Sequence, residues 1–193
     1  MEQHRFRPAT VEDAAVLARL VNDAGEGMPL YLWSGMAEPG ESAWDVGRRR
    51  AARETGSFSY RNATVIEHEG RAAGALIGYE IGGTPEPIAP DTPPMFVPLQ
   101  ELENLALDTW YVNVLAVLPD FRNLGLGSRL LDLAHETGQK RRKRGMSIIV
   151  ADSNEGARRL YERCGYRERS RRRMVKEQWE TEGQEWVLLL RPF

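Results

Sequence analysis

Apolar residues recur at two spacings along the chain and divide it into helices and strands. Helical spacing first occurs after Thr10, at Ala14, Leu17, Ala18 and Val21, which puts one apolar stripe on a helix face. Further helices are predicted over about residues 43–54, 99–106, 126–140 and 154–162. The glycines and prolines of residues 25–40 and 85–98 interrupt regular structure and indicate long loops.

Runs of β-forming residues predict strands between these helices. The strongest run is Trp110–Leu118, whose nearly continuous apolar character indicates a central strand buried on both faces. Weaker runs lie at Phe6–Pro8, Thr64–Ile66, Ala75–Ile77, Ser147–Ala151, around Met174 and at Trp186–Leu190. Strands and helices therefore alternate for most of the chain, which predicts a mixed α/β fold.

Length and composition limit the classes of protein. The 193 residues, 41% of them hydrophobic, suit one domain spanning residues 1–193. A net charge of −2 gives no general attraction to nucleic acid or to an anionic membrane. One cysteine excludes an intrachain disulfide framework, and the polar first residues Met1–Arg5 resemble no signal sequence. We expect a cytoplasmic protein that binds neither membrane nor nucleic acid.

The segment between the strongest strand and the following helix is a candidate anion site. Main-chain amides at a helix start lack intrahelical acceptors and can point at one anion. Gly125 and Gly127 would let that anion approach the backbone, and Arg122 adds a positive charge. A tight turn without a ligand is the alternative. The segment contains neither the lysine of a Walker loop nor the third glycine of a dinucleotide fingerprint.

Two motifs in this region resemble the signatures of the GNAT acyltransferase superfamily. Residues 122–127, Arg-Asn-Leu-Gly-Leu-Gly, match its Arg/Gln-x-x-Gly-x-Gly/Ala signature, and residues 154–166 are similar to its second signature. The resemblance implies a mixed sheet of about six or seven strands, flanked by helices and splayed between the fourth and fifth strands. It also implies an N-acetyltransferase that uses acetyl-CoA as co-substrate.

The resemblance assigns cofactor contacts residue by residue. The amide of Val117 would bind the pantetheine arm, and that of Leu115 would polarise the thioester carbonyl. The pyrophosphate would be held beside Arg122 by the amides of Asn123, Leu124, Gly125, Leu126, Gly127 and Ser128. Asn154 would contact pantetheine, and Tyr161 would protonate the departing thiolate while also lining the cofactor site.

The proton acceptor is harder to assign, because many relatives have glutamate at the position of Tyr111. Tyr111 and Asn113 share one strand face with Leu115 and are candidate catalytic residues. Packing of the strand is an equal alternative for both. Glu101 and Glu103, just upstream, are further candidates, although acidic residues on a helix usually form a solvated face.

Other reactive or charged residues support simpler readings. Cys164, beside Gly165 at a helix end, is expected to be a small packing residue. His4, His68 and His135 lack metal-ligand spacing, so no metal is predicted. The basic runs 140–144 and 167–173 are expected to lie at a helix C-terminus and along an exposed strand.

Three functions remain open at this point. The leading one is transfer of acetyl from acetyl-CoA to a primary amine, of a small molecule or a protein, by direct attack. The others are a regulatory acyl-CoA-binding module of the same fold and an interaction protein that uses its basic patches. The acceptor would lie beside Met28–Trp33 and the loop ending near Pro98, where aromatic residues suggest a partly apolar pocket or a packed loop. A homodimer is left open.

Overall fold

The computed structural model describes residues 4–193, so residues 1–3 of the polar N-terminal stretch lie outside it. The strands are β1 (His4–Pro8), β2 (Ala63–His68), β3 (Arg71–Glu80), β4 (Thr109–Val117), β5 (Gly145–Ala151), β6 (Arg167–Arg173) and β7 (Glu185–Pro192). The α-helices are α1 (Ala14–Ala24), α2 (Met28–Ser34), α3 (Ala43–Ala51), α4 (Val97–Glu103), α5 (Leu126–Lys140) and α6 (Glu155–Arg163). None of these helices is both long and apolar enough to cross a membrane.

The strands form one mixed sheet in the order β1-β2-β3-β4-β5-β7-β6. β4 and β5 are parallel, whereas β1–β2, β2–β3, β5–β7 and β6–β7 are antiparallel pairs. This arrangement confirms the predicted mixed α/β fold. β6 lies at a sheet edge and carries the second basic run, as predicted, and α5 ends at the first basic run.

The chain divides into two compact units. The first contains residues up to Gly78 together with Val114–Leu131. Its core joins α1 to β2 and β3, and Leu17, Val65 and Ile77 are almost completely buried there. The predicted helix stripe is confirmed, except that Val21 is only half-buried.

The second unit contains Tyr79–Asn113 and Asp132–Phe193. β5 lies between β4 and β7, and the side chains of Met146, Val187 and Leu189 are buried along this part of the sheet. Parallel pairing of β4 with β5 runs from Thr109↔Gly145 to Val112↔Ile148. β5 continues to pair with β7 as far as Ala151↔Trp186.

Three of the differences from the predicted elements have a local cause. α2 forms inside the predicted 25–40 loop, because Pro29 is acceptable in a first helical turn. α4 starts two residues earlier than predicted, with Pro98 likewise in its first turn. β6 precedes Met174 rather than surrounding it, since its pairing with the buried β7 starts at Arg167↔Leu190.

Candidate functional site

The turn that carries the first signature, Arg122–Ser128, is called the anion turn below. Asn123 and Gly125 have φ angles of 63° and 77°, and both residues are exposed. A β-carbon placed on Gly125 would have no atom within 4 Å, so neighbouring atoms leave its surface open. Leu126 is buried and anchors the start of α5. The fixed part of the turn is therefore its apolar side, and its backbone faces solvent.

The main-chain amides of the anion turn are available to a ligand. Within residues 4–193, the amides of residues 123–128 have no intramolecular hydrogen-bond acceptor. The first α5-related bond is donated by the amide of Arg129 to the carbonyl of Gly125, at 3.2 Å. Six consecutive donors at a helix start can stabilise a negative charge, because the helix dipole acts in the same direction.

The C-terminal part of β4 is held on its β3 side. The amide of Leu118 donates to the carbonyl of Ala73 at 2.8 Å. Gly74 is required here, since a β-carbon at this position would come within 2.6 Å of the Ala116 carbonyl oxygen. The Val117 carbonyl accepts a bond of 3.3 Å from Nε of Arg122. This bond ties the first residue of the anion turn to the end of β4.

Leu115 and Val117, the predicted pantetheine contacts, are both half-buried. They follow the last β4 residue that pairs with β5, Val112. Their predicted roles use main-chain amides, so these roles require no particular side chain at either position. These roles stay predictions.

Tyr161 lies on the buried face of α6, with its ring centroid 5.9 Å from that of Tyr166. Burial raises the pKa of Tyr161 above its ordinary range, so the hydroxyl keeps its proton at neutral pH. Asn154 caps α6, and its side-chain oxygen accepts from the amide of Ala157 at 3.1 Å. This capping bond stabilises the helix, so an asparagine at position 154 has a structural reason that does not depend on the cofactor.

Tyr79, Glu103 and Tyr111 form a second group, called the tyrosine–glutamate cluster below. The Tyr79 hydroxyl donates to Oε1 of Glu103 at 3.1 Å, and the Tyr79 and Tyr111 rings pack edge to face at 5.2 Å. Burial raises the pKa of Tyr111, with the negative charge of Glu103 adding to the effect. Asn113, the other predicted catalytic residue on β4, is exposed. The cluster gathers ionisable groups from β3, α4 and β4.

The sequence reasoning missed Tyr79 altogether and left Glu103 as one of two candidate glutamates. Structure separates the two: Glu101 pairs with Arg172, Nε to Oε2 at 2.5 Å, whereas Glu103 is bonded to a tyrosine. No local pattern could have found Tyr79, because it lies near the end of β3, 24 residues before Glu103.

The remaining candidate residues have structural partners. Burial raises the pKa of Cys164, which makes its thiol a poor nucleophile at neutral pH. Nδ1 of His68 lies 3.0 Å from Nδ1 of His4 across β1 and β2, and Nε2 of His135 lies 3.1 Å from the Tyr166 hydroxyl. In the part of the chain that is described, no three His, Cys, Asp or Glu side chains are grouped to hold a metal ion.

Comparison with known proteins identifies the family. The model of the Acetyltransferase (GNAT) family matches residues 30–166. The chain belongs to this family. The match confirms the family and the enzyme class predicted from the sequence, an acetyl-CoA-dependent N-acetyltransferase. No curated protein matches the sequence significantly.

Solved structures share the fold over the whole chain. A protein described as an acetyltransferase has 24% identity and a TM-score of 0.64, with 97% of this chain and 98% of that one covered. An N-acetyltransferase from Staphylococcus aureus Mu50 has 18% identity, a TM-score of 0.63 and coverage of 97% and 100%. A GNAT family acetyltransferase from Elizabethkingia anophelis, solved with acetyl-CoA bound, has 15% identity, a TM-score of 0.57 and coverage of 100% for both chains. At these identities the likeness concerns the fold.

Proposed function

We propose that this acetyltransferase moves the acetyl group of acetyl-CoA to a primary amine by direct attack of the amine nitrogen on the thioester. The observation that carries the proposal is the row of six main-chain amides without intramolecular acceptors at residues 123–128. A linked diphosphate has the charge and the acceptor oxygens that such a row can bind. Arg122 adds a fixed positive charge beside it.

The protein's residues divide the chemistry as follows in this proposal. The amide of Val117 bonds the pantetheine arm, and the amide of Leu115 stabilises the negative charge that develops on the thioester oxygen. A carbon–nitrogen bond then forms as the carbon–sulfur bond breaks. Tyr161 donates its proton to the departing thiolate, since its buried hydroxyl still carries that proton at neutral pH. Tyr111 and Asn113 are proposed to position the acceptor amine.

Calorimetric titration with acetyl-CoA tests the anion turn. Gly125→Glu places a carboxylate among the free amides, so we expect binding to fall by at least about 100-fold, equivalent to ~3 kcal/mol. The matched control is Gly40→Glu. Gly40 also has a positive φ, 87°, and no atom within 4 Å of a β-carbon, so backbone strain is the same in both variants. Equal affinities of the two variants would show that the turn does not bind the cofactor.

Release of the CoA thiol over a panel of primary amines and peptides tests the transfer. We expect release only when an amine is present, together with a product heavier by one acetyl group. Saturable acetyl-CoA binding with no release for any amine would favour a regulatory acyl-CoA-binding module instead.

A further inference from the structure

Glu103 is a half-buried carboxylate without a cationic partner, unlike Asp13 and Glu101. Asp13 binds Arg7, Oδ2 to Nη1 at 2.6 Å, and Glu101 binds Arg172 at 2.5 Å. Among residues 4–193, no lysine, arginine or histidine forms an ion pair with Glu103. A desolvated carboxylate without a counter-charge is unfavourable, so folding alone does not explain a glutamate at this position.

The surroundings of Glu103 are suited to a ligand that supplies the missing charge. Tyr79 fixes one carboxylate oxygen, Oε1, and the ring of Tyr79 packs against that of Tyr111. A desolvated carboxylate attracts an ammonium group, because the ammonium supplies the counter-charge that the protein does not. Glu86 adds further negative charge near the carboxylate.

The protonation of Glu103 also suits transfer of a proton near neutral pH. Burial raises the pKa of Glu103 to about 7, while the hydrogen bond from Tyr79 lowers it and the charge of Glu86 raises it further. A proton acceptor works best when its pKa lies near the working pH. Glu101, two residues earlier on α4, is neutralised by Arg172 instead.

We propose that Glu103 binds the acceptor as an ammonium ion and takes the proton that frees its nitrogen for attack. The acceptor class is therefore a primary amine that is cationic in solution. This inference rests on the proposed function. Glu103 would take the role of the strand glutamate that many relatives have at the position of Tyr111. It makes α4 the source of the carboxylate.

The proton balance of the step is complete. The ammonium group gives one proton to Glu103, and the neutral nitrogen attacks the thioester carbon. The nitrogen loses a second proton as the amide forms, which balances the proton that Tyr161 gives to the thiolate. Glu103 then releases its proton to water. The products are the N-acetyl amine, CoA thiol and one proton.

The pH profile of kcat/KM for the best amine of the panel tests the proposal. Wild-type protein is expected to lose activity below a midpoint close to 7, where Glu103 becomes protonated. Glu103→Gln should lower kcat/KM by about 100-fold or more and remove this acid limb, with acetyl-CoA affinity unchanged. Glu103→Asp should restore part of the rate. Glu101→Gln, the matched control, should keep both the rate and the limb.

Tyr79→Phe gives a readout that a purely structural role would not produce. Loss of its hydrogen bond should move the acid limb to higher pH, because that bond stabilises the charged carboxylate. If Glu103→Gln keeps the wild-type rate and limb, or loses no more activity than Glu101→Gln, the inference is wrong while the proposed function stands. If wild type acetylates no amine, both are wrong.

Discussion

Glu103→Gln is expected to stabilise the protein above neutral pH and to change its stability little below pH 4.5. The ordinary pKa of the carboxyl is 4.5, and burial in the folded protein raises it to about 7. The folded state therefore binds more protons than the unfolded chain between these values, so wild-type stability falls as the pH rises through them. The glutamine has no proton to lose and escapes this loss.

The size of this loss of stability follows from the rise of the Glu103 pKa from 4.5 to about 7. The rise corresponds to ~3 kcal/mol, of which about 2–3 kcal/mol should develop between pH 5 and pH 8. Urea unfolding at both pH values measures the free energy of unfolding of wild type, Glu103→Gln and Glu101→Gln. The glutamine side chain keeps an oxygen that can accept the hydrogen bond from Tyr79, so the loss of that bond should not contribute to the difference in stability. If the difference between wild type and Glu103→Gln is the same at pH 5 and pH 8, Glu103 is not a desolvated carboxyl.

Two further predictions concern Tyr161 and a helix glycine. Tyr161→Phe should lower kcat by about tenfold or more with acetyl-CoA affinity retained. The control is Tyr166→Phe, which removes a hydroxyl that contacts His135 and should leave kcat unchanged. Equal kcat values of the two variants in steady-state assays would show that Tyr161 is not the proton donor. Gly47→Ala should destabilise α3 by ~1–3 kcal/mol in urea unfolding, because the new methyl group would overlap the Trp33 ring. Gly156→Ala in α6, with open space around it, should stabilise by up to ~1 kcal/mol, and the opposite order of the two would contradict the packing described.

The parts of the molecule that depend on neighbouring residues were predictable from the sequence. The anion turn lies within seven consecutive residues, so the strand before it, its glycines and the helix after it could be predicted together. The apolar stripe of α1 was also predictable, because helical spacing alone places Leu17 and Ala18 on the buried face. A helix over residues 154–162 was likewise predicted, and α6 starts directly after Asn154 and carries Tyr161.

The parts that depend on distant residues were not predictable in the same way. Glu101 and Glu103 lie on the same short helix, and their difference comes from Arg172, 71 residues after Glu101, and Tyr79, 24 residues before Glu103. Periodicity reports which face of an element is buried but not which side chains meet there. The bounds of β6 have the same explanation: pairing with β7, and not apolar alternation along β6 itself, sets where this strand begins and ends.

In the proposed function, the main-chain amides of residues 123–128 bind the diphosphate of acetyl-CoA. The most direct measurement is an amide ¹H–¹⁵N correlation spectrum of the assigned protein, recorded during titration with acetyl-CoA. The amide signals of Gly125 and Gly127 should shift downfield and saturate with the calorimetric affinity, since hydrogen bonding to phosphate deshields them. Saturation of binding with these signals unmoved would contradict the claim.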